Sequence, residues 1–299
     1  MGKGRMSKLN DTSIVILNYN DYKSTIFLTD LLLSFNYDDF HIIVVDNRSK
    51  NESESILNDK YHENSKVDFI VSDINGGYSY GNNYGAKYAL NKYNSEYIII
   101  ANPDVILEND TIPKLIDCFC LNDNLAMIAP IMKEKDGSFS KKTIKLPNYY
   151  DDILACTFKF DKGRCFKEPV YIYNNRLIET EFIPGSFFAI RADVLKEIGF
   201  LDDGVFLYCE ERILGRKLLN LGYKAAFVND LFFVHNHGTS TSTVYNKIET
   251  LKLTHKSRIY YYENYQNINP IQKIFLKFMM KLFIKRIQLR NKLINILKK

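Results

Sequence analysis

The chain has 299 residues, of which 46% are apolar and 25% are charged, a globular balance that excludes a disordered chain and suits one large α/β domain or two smaller ones. Its net charge of +5 is unevenly distributed, because no acid follows Asn264 whereas nine bases do, and the preceding body is mildly acidic. An acidic body and a basic tail with apolar residues at helical spacing argue against nucleic-acid binding.

The cysteines and the first residues bear on the cellular compartment. The five cysteines are odd in number and lack zinc-site spacing, so we expect free thiols in a reducing environment. Residues 1–13 are polar and basic without an apolar core, which predicts no secretory signal, and no apolar run reaches transmembrane length. These features predict a cytoplasmic protein.

Four apolar runs in the first half predict buried strands, and they occupy residues 13–18, 41–46, 67–72 and 97–102. The segments between them have helical spacing, which is typical of an α/β fold with a mostly parallel central sheet and helices on both faces. Ligands of such sheets bind beyond the carboxyl ends of the strands. These ends are polar here, and they lie at residues 18–20, 46–49, 75–77 and 102–104.

The second half predicts a strand at residues 127–132, an irregular stretch from 137 to about 168, and helices at 192–198 and 210–222. Residues 224–230 and 231–238 predict two strands or a strand pair.

The stretch YIIIANPDV, residues 97–105, runs from an apolar strand directly into Asn102, Pro103 and Asp104. A carboxylate at a ligand-binding edge suits a hard divalent cation, and Pro103 restricts the backbone that aims it. The alternative is a simple turn, because Asn, Pro and Asp all favour turns.

Two loops after other strands offer polar groups at the same edge. Asp46 predicts either a helix cap or Asx turn, or a carboxylate that accepts a hydrogen bond from a nucleobase, with Asn18 to Asn20 closing the other side. The stretch NGGYSYGNNYG, residues 75–85, lacks the GxGxxG pattern, which argues against a nicotinamide-dependent oxidoreductase. Its small residues suit an anion approached by backbone N–H groups, or they form a flexible turn.

Two pairs of residues in the second half suit catalysis or metal binding. Glu210 and Glu211 open a predicted helix, where the helix dipole stabilises acids and where one of the two suits a general base. Adjacent helical residues point about 100° apart, so only one of them faces a given site. His235 and His237 alternate on a predicted strand and share one face, as metal ligands do, although packed or surface histidines are the alternative.

Taken in order, the motifs SIVILNYN, IIVVDNRS, NGGYSYGNNYGAKYA, YIIIANPDV, GSFFAIRADVLKEIGFLDDGVFLYCEE and HNHGTST resemble those of family 2 glycosyltransferases with the GT-A fold. The likeness is greatest to the rhamnosyltransferase-type branch that builds bacterial O-antigens and capsules, and it covers about residues 13–242. It implies a GT-A domain at 1–245, with a donor half at about 13–132 and an acceptor half at about 133–245. A helical, basic, amphipathic extension would follow at 246–299.

The resemblance also implies roles for individual residues. It implies a divalent metal, Mg²⁺ or Mn²⁺, at Asp104 with His235 or His237. It implies Glu211 as the catalytic base and Glu210 as the second candidate, because many relatives carry Glu-Asp at these positions. Acceptor contacts are expected at Gly185, Ser186, Asp202 and Asp203. Donor contacts are expected at Asn18, Tyr19, Asn20, Asp46, Asn47, Asn75, Gly76, Gly77, Asn83, Asn102 and Asp104, where Asn102 replaces the first acid of the family's Asp-x-Asp motif.

The implied activity is an inverting, metal-dependent transfer of a sugar from a dTDP- or UDP-sugar, dTDP-rhamnose among them, to a hydroxyl of a glycan or polyprenyl-linked saccharide. The implied process is the synthesis of bacterial surface polysaccharide. The alternative is a catalytically inactive scaffold of the same fold in a polysaccharide assembly complex. The intact acids Asp46, Asp104 and Glu211 argue against that alternative.

Residues 270–299 place apolar residues at helical spacing with bases between them. We expect an in-plane amphipathic helix at an anionic leaflet, which would hold the protein peripherally at the inner face of the cytoplasmic membrane. The alternative is a helix that packs against the body or against a partner subunit, as in a homodimer.

Overall fold

The computed structural model describes residues 11–35, 40–133, 137–139, 141–157, 165–235 and 247–297. The first half contains β1 (Thr12–Asn18), α1 (Tyr22–Ser34), β2 (Phe40–Asp46), α2 (Ser53–Tyr61), β3 (Val67–Val71), α3 (Tyr78–Tyr93) and β4 (Tyr97–Ala101). The middle contains β5 (Val105–Leu107), α4 (Thr111–Asp117), β6 (Leu125–Lys133), β7 (Thr143–Ile144), α5 (Tyr149–Thr157), β8 (Phe166–Lys167) and β9 (Val170–Ile172). The last part contains β10 (Leu177–Thr180), β11 (Phe187–Arg191), α6 (Ala192–Glu197), α7 (Glu210–Asn220), β12 (Lys224–His235), α8 (Lys247–Tyr265) and α9 (Pro270–Leu297).

Most strands join one sheet in the order β3-β2-β1-β4-β11-β6-β12-β10-β9, with β5 paired to β12, whereas β7 and β8 pair separately. The strands β3, β2, β1 and β4 are parallel, and β12 runs parallel to β6. β11 lies antiparallel between β4 and β6 and so connects the two halves of the sheet. Among the described strands, parallel ladders pair more residues than antiparallel ones, which confirms the predicted mostly parallel sheet.

The central strands are buried on both faces, which explains their continuous apolar runs. Ile14 and Ile16 of β1 pack with α1, α2 and α4 in one cluster. Val15, which points to the opposite face, packs with α3, α6 and α7 in another. The sheet is therefore covered by helices on both sides, as expected.

Residues 224–235 form one long strand, so the prediction of two separate strands was wrong. The register between β12 and β6 shifts between Val228 and Phe232, and this irregularity contains Asn229 and Asp230. The polar residues that suggested a break are thus accommodated as a bulge within a continuous strand.

The C-terminal extension is helical, and it packs on α5 and the first turn of α7. The shared apolar cluster contains Cys156, Ile213, Tyr261, Leu276 and Met280. Within the described ranges, every helix is too short or too polar to cross a membrane.

A buried carboxylate joins this extension to the body. Asp152 on α5 contacts Arg212 of α7 at 2.7 Å and Arg258 of α8 at 3.4 Å, and it accepts a hydrogen bond from the Tyr262 hydroxyl at 2.8 Å. Burial by itself raises the pKa of Asp152, but the two guanidinium groups outweigh it and hold the pKa below its usual range. One charged side chain therefore links three helices.

Candidate active site

A cavity of about 480 Å³ opens at the edge of the sheet where β1, β2 and β4 end. Its wall combines residues from the first half with residues just before β11, at the start of α7 and at the end of β12. The predicted site residues on this wall are Tyr19, Asn47, Asn75, Gly77, Asn102, Gly185, Ser186, Glu210, Glu211 and His235. Some members of the expected donor, acceptor, base and metal sets therefore share one cleft.

Asp46 and Asn18 end neighbouring strands and bond to each other rather than line this cavity. Asn18 Nδ2 donates to Asp46 Oδ2 at 2.6 Å, and the Ser49 N–H donates to Asp46 Oδ1 at 2.8 Å. The Asn20 N–H joins the same network by donating to Ser49 Oγ at 2.8 Å. Because Asp46 is fully buried, this geometry favours a residue that fixes the two loops over the expected direct nucleobase contact.

The N–H groups of the loop before α3 donate hydrogen bonds to other groups of the protein. Gly76 donates to the carbonyl two residues earlier at 3.0 Å, Gly77 donates to Asn75 Oδ1 at 3.2 Å, and Tyr78 donates to the Phe206 carbonyl at 3.0 Å. Three of the N–H groups that we expected to approach an anion are therefore already bonded within the protein. The loop instead contributes to the shape of the cavity, with Asn75 and Gly77 on the wall.

Gly77 brings the start of α3 into direct contact with the segment before α7. Its backbone has a φ of +91°, and a Cβ atom at this position would lie 2.0 Å from the Phe206 carbonyl oxygen. The Gly77 carbonyl also accepts a hydrogen bond from Asn47 Nδ2 at 3.1 Å. A larger residue would separate these two parts of the wall.

Asn83, which we expected to contact the donor, instead joins α3 to the segment after α6. Its Nδ2 donates to the Leu201 carbonyl at 2.8 Å, and its Oδ1 accepts from the Leu201 N–H at 3.0 Å. Both ends of the amide are satisfied in a buried position away from the cavity wall, so the predicted donor contact is wrong.

Asp202 and Asp203, which we expected near the acceptor, are also away from the cavity wall. Asp202 accepts hydrogen bonds from the hydroxyls of Tyr260 and Tyr265 on α8. Asp203 is exposed. Asp202 is thus a docking point for the C-terminal extension and not part of this wall, whereas the acceptor contact expected at Asp203 stays a prediction.

Gly185 and Ser186 do reach the wall, immediately before β11. The Gly185 carbonyl accepts a hydrogen bond from the Tyr78 hydroxyl, and the Ser186 carbonyl accepts one from the Asn102 N–H at 2.8 Å. Ser186 Oγ is buried and has no hydrogen-bond partner among the described residues. A ligand in the cavity could satisfy this hydroxyl.

Asp104 and His235 form a close pair where β5 and β12 run antiparallel. Asp104 Oδ1 and His235 Nε2 are 3.0 Å apart, and both side chains are mostly buried. His237 lies outside the described residues.

The same separation fits two neighbouring ligands of an octahedral divalent cation. With ligand distances of about 2.1 Å, such ligands lie about 3.0 Å apart. No group of three His, Cys, Asp or Glu side chains that suits a metal occurs in the part of the chain that the structure describes. The described residues thus offer two ligands, and oxygen atoms of a bound diphosphate are the chemically suitable complement.

Glu210 and Glu211 reach the wall from the first turn of α7. Tyr208 and Cys209 precede them in left-handed backbone conformations, with φ of 69° and 70°. Burial raises the pKa of Glu210 to about 8, and the charge of Glu211 adds to this effect. Glu210 Oε2 is buried without a hydrogen-bond partner in the described ranges, so a protonated Glu210 fits the site at neutral pH.

Several wall residues were not anticipated from the sequence, namely Leu17, Asp21, Tyr78, Met132, Pro184, Phe206, Leu207 and Tyr208. Tyr78 is the most informative of them, because burial and then the charges of Glu210 and Glu211 raise its pKa. Its hydroxyl therefore stays protonated beside the two acids, and it donates its hydrogen bond to the Gly185 carbonyl. Tyr78 belongs to the motif NGGYSYGNNYGAKYA, but its place on the wall depends on where α3 begins.

Comparisons with known proteins agree with this architecture. The low-salt glycan biosynthesis hexosyltransferase Agl10 of Haloferax volcanii is 27% identical over 212 residues, which are 70% of this chain and 62% of that protein. Rhamnosyltransferase WbbL of Escherichia coli K12 is 23% identical over 257 residues, which are 82% of this chain and 94% of that protein. Over the matched regions, the chain thus spans less than two thirds of Agl10 and nearly all of WbbL.

Solved structures give the same fold. The mannosyltransferase PcManGT from Pyrobaculum calidifontis, solved with GDP-Man and Mn²⁺, has a TM-score of 0.59 at 12% identity, covering 92% of this chain and 69% of that one. GalNAc-T7, solved with UDP, GalNAc and Mn²⁺, has a TM-score of 0.59 at 14% identity, covering 91% and 54%. These likenesses confirm the GT-A-like fold.

The sequence profile of glycosyl transferase family 2 matches residues 13–199, which include the strands whose carboxyl ends form the cavity and both glycine-containing segments on its wall. This match extends over more than half of the chain, and on that basis the chain belongs to glycosyl transferase family 2.

Proposed function

We propose that this family 2 glycosyltransferase moves a sugar, with inversion, from a dTDP- or UDP-sugar to a hydroxyl of a glycan or lipid-linked saccharide. We further propose that it acts in the synthesis of bacterial surface polysaccharide and that dTDP-rhamnose is the first donor to test, given the similarity to rhamnosyltransferase WbbL. One observation carries the proposal. A single cavity has Asn102 and His235 on one part of its wall and Glu210 and Glu211 on another.

On the donor side, Asp104 and His235 would hold the divalent cation, which neutralises negative charge on a diphosphate when bound. Both side chains are mostly buried and already close together, so binding the cation would cost little side-chain entropy. Asn102 and Pro103 line the cavity directly before Asp104, so the donor's diphosphate has a place beside this pair.

On the acceptor side, Glu211 would take the proton of the acceptor hydroxyl as that oxygen bonds to the anomeric carbon. The bond from this carbon to the diphosphate breaks in the same step, so the configuration inverts. Because a protonated Glu210 cannot accept this proton, we assign the proton acceptor to the carboxylate of Glu211. The unsatisfied Ser186 hydroxyl is a further group that can orient a sugar.

The test is a donor screen with the full-length protein and Mn²⁺ or Mg²⁺. We expect release of a nucleoside diphosphate from one dTDP- or UDP-sugar, faster with a suitable acceptor, and a product whose anomeric configuration is opposite to that of the donor. Retained configuration would overturn the single-displacement mechanism. Failure of every dTDP- and UDP-sugar to react would overturn the proposed donor class.

The second candidate is an inactive scaffold of the same fold. Such a protein would bind a nucleotide sugar, if at all, without releasing the diphosphate. The presence of two acids on the cavity wall and of the Asp104–His235 pair favours the enzyme, because a scaffold has no need to keep Glu210 buried without a partner. The same screen separates the two candidates.

A further inference from the structure

Helix α9 has two apolar faces, and only one of them is covered. The inner face includes Leu276 and Met280, which are buried against the remainder of the protein. The outer face is exposed and consists of Ile271, Phe275, Phe278, Leu282, Leu289 and Leu293. We call these six residues the outer stripe. The structure thus supports a docking helix on the inner side while leaving a second apolar surface for another partner.

The spacing of the outer stripe keeps it on one line along the helix. Its members follow one another at intervals of three, four or seven residues, which return to the same side of an α-helix. From Ile271 to Leu293 the stripe is about 33 Å long at 1.5 Å per residue. Isolated apolar residues are common on protein surfaces, but a continuous row of large ones indicates an interaction surface.

Helix α9 is anchored to the body by polar contacts. The outer stripe is therefore exposed on a fixed helix. The Gln272 carbonyl accepts a hydrogen bond from the Tyr149 hydroxyl at 2.9 Å. Arg286 donates to the Thr157 carbonyl at 2.7 Å. Lys273 forms an ion pair with Glu263 of α8. These contacts hold the inner face on α5 and α8 and direct the stripe outward.

Bases lie on both sides of the stripe. At 100° per residue, Lys281 and Lys285 lie on one side of it, and Arg286 and Arg290 lie on the other. No acid occurs anywhere after Asn264. Two copies that paired through this face would bring bases against bases, whereas an anionic surface would neutralise them.

We propose that the outer stripe of α9 inserts into the headgroup region of an anionic lipid leaflet, with the flanking bases on lipid phosphates. The helix would lie in the plane of the membrane, with its inner face still on the protein. Apolar burial and charge would act together, as in amphipathic helices that select anionic membranes. The proposal rests on α9 alone and does not depend on the sugar-transfer activity.

The test is sedimentation of the full-length protein with vesicles of phosphatidylcholine, alone or mixed with phosphatidylglycerol. We expect the wild type to pellet with the anionic vesicles, to pellet poorly with the neutral ones, and to be released as salt is raised. Phe278→Gln together with Leu282→Gln should weaken binding by about tenfold or more, because two apolar side chains no longer enter the lipid.

The matched control is Phe27→Gln together with Leu221→Gln. Phe27 is 54% exposed, as is Phe278, and Leu221 is 51% exposed, but neither lies on α9. This variant should bind anionic vesicles as the wild type does. Lys281→Glu together with Lys285→Glu should reduce binding to anionic vesicles while leaving thermal stability unchanged, since both lysines are exposed.

Three results would overturn the proposal. The first is a wild type that does not pellet with anionic vesicles. The second is equal pelleting of the wild type and the Phe278/Leu282 variant. The third is a wild type that is dimeric by light scattering and a Phe278/Leu282 variant that is monomeric, because the stripe would then bind a second copy. Nucleoside diphosphate release with a soluble acceptor, measured in parallel, keeps this result separate from the fate of the proposed activity.

Discussion

Asp104 and His235 stand 131 positions apart in sequence, yet Asp104 Oδ1 and His235 Nε2 lie 3.0 Å apart. The antiparallel ladder between β5 and β12 creates this contact by pairing His235 with Val105, the residue after Asp104. The pair is mostly buried, and His235 is on the cavity wall. It is the strongest argument in the structure for a cation beside the donor.

We expect Asp104→Ala to abolish the dependence of donor binding on Mn²⁺, because the remaining imidazole cannot hold the cation alone. Titration calorimetry with nucleotide sugar, with and without Mn²⁺, measures the effect. His235→Ala should weaken the same dependence. Asp230→Asn is the matched control, since Asp230 is an exposed acid on the same strand as His235. Equal metal-dependent affinity of the wild type and Asp104→Ala would exclude the metal role.

The two adjacent glutamates should respond differently to substitution. Glu211→Gln should reduce turnover by about 10²- to 10⁴-fold with little change in donor affinity, because the variant cannot accept a proton. Glu210→Gln should keep turnover near that of the wild type at neutral pH, because Gln resembles the protonated acid that the raised pKa predicts. Steady-state rates, with donor affinity measured separately, decide between them. The reverse order of effects would assign the base to Glu210.

The raised pKa of Glu210 also predicts how stability depends on pH. Its pKa in the folded protein, about 8, is above that of an unfolded glutamate. The stability that comes from its neutral form is therefore complete at low pH and is lost as pH rises through about 8. Thermal unfolding of the wild type should show this loss between about pH 5 and pH 9, and Glu210→Gln should reduce it. Identical pH profiles would contradict a protonated Glu210.

The fold and the edge that holds the cavity could be predicted from the sequence, because both follow from local patterns. Apolar runs mark β1, β2 and β4, and parallel strands must end at the same edge. Glu210 and Glu211 could be placed at a helix start for the same local reason. The pairing of Asp104 with His235 was expected only through the family resemblance, since no local pattern fixes a ladder between distant segments.

Three of the site expectations fail for the same physical reason, which is a hydrogen-bond partner far away in sequence. Asn83 lies in a helix near the cavity, but its amide is satisfied by Leu201, 118 positions away. Asp202 accepts a hydrogen bond from the Tyr260 hydroxyl of α8, and the N–H of Tyr78 donates to the Phe206 carbonyl. A polar residue in a glycine-rich or acidic motif is available to a ligand only if its hydrogen-bonding groups are not already satisfied within the protein. That condition depends on tertiary packing.

Gly77→Ala should destabilise the protein and weaken donor binding. The new Cβ would lie 2.0 Å from the Phe206 carbonyl oxygen, and the φ of +91° is unfavourable for alanine. Gly199→Ala is the matched control, because Gly199 has a φ of +72° but nothing within 4 Å of its added Cβ. We expect Gly199→Ala to cost about 1 kcal/mol of unfolding free energy and Gly77→Ala to cost about 1–3 kcal/mol more. Denaturant unfolding measures both, and equal costs would show that the Phe206 segment simply moves aside.

The buried carboxylate of Asp152 should hold the C-terminal extension on the body. Asp152→Ala leaves Arg212 and Arg258 without their acid in a mostly buried position, so we expect a loss of about 3–5 kcal/mol in unfolding free energy. The exposed acid Asp59 provides the control, because Asp59→Asn should change stability by less than about 0.5 kcal/mol.

The pH dependence of Asp152 has the opposite sign to that of Glu210. Because the pKa of Asp152 is lowered in the folded protein, the stability it contributes is present above the pKa of an unfolded aspartate and is lost as pH falls through the lower, folded value. Acid should therefore loosen α8 and α9 from α5 before the sheet unfolds, since the sheet does not depend on this charge. Hydrogen exchange followed while the pH is lowered measures the order of these events. Protection that disappears from the sheet and from α8 together would mean that the extension and the body unfold as one unit and that Asp152 does not control their contact.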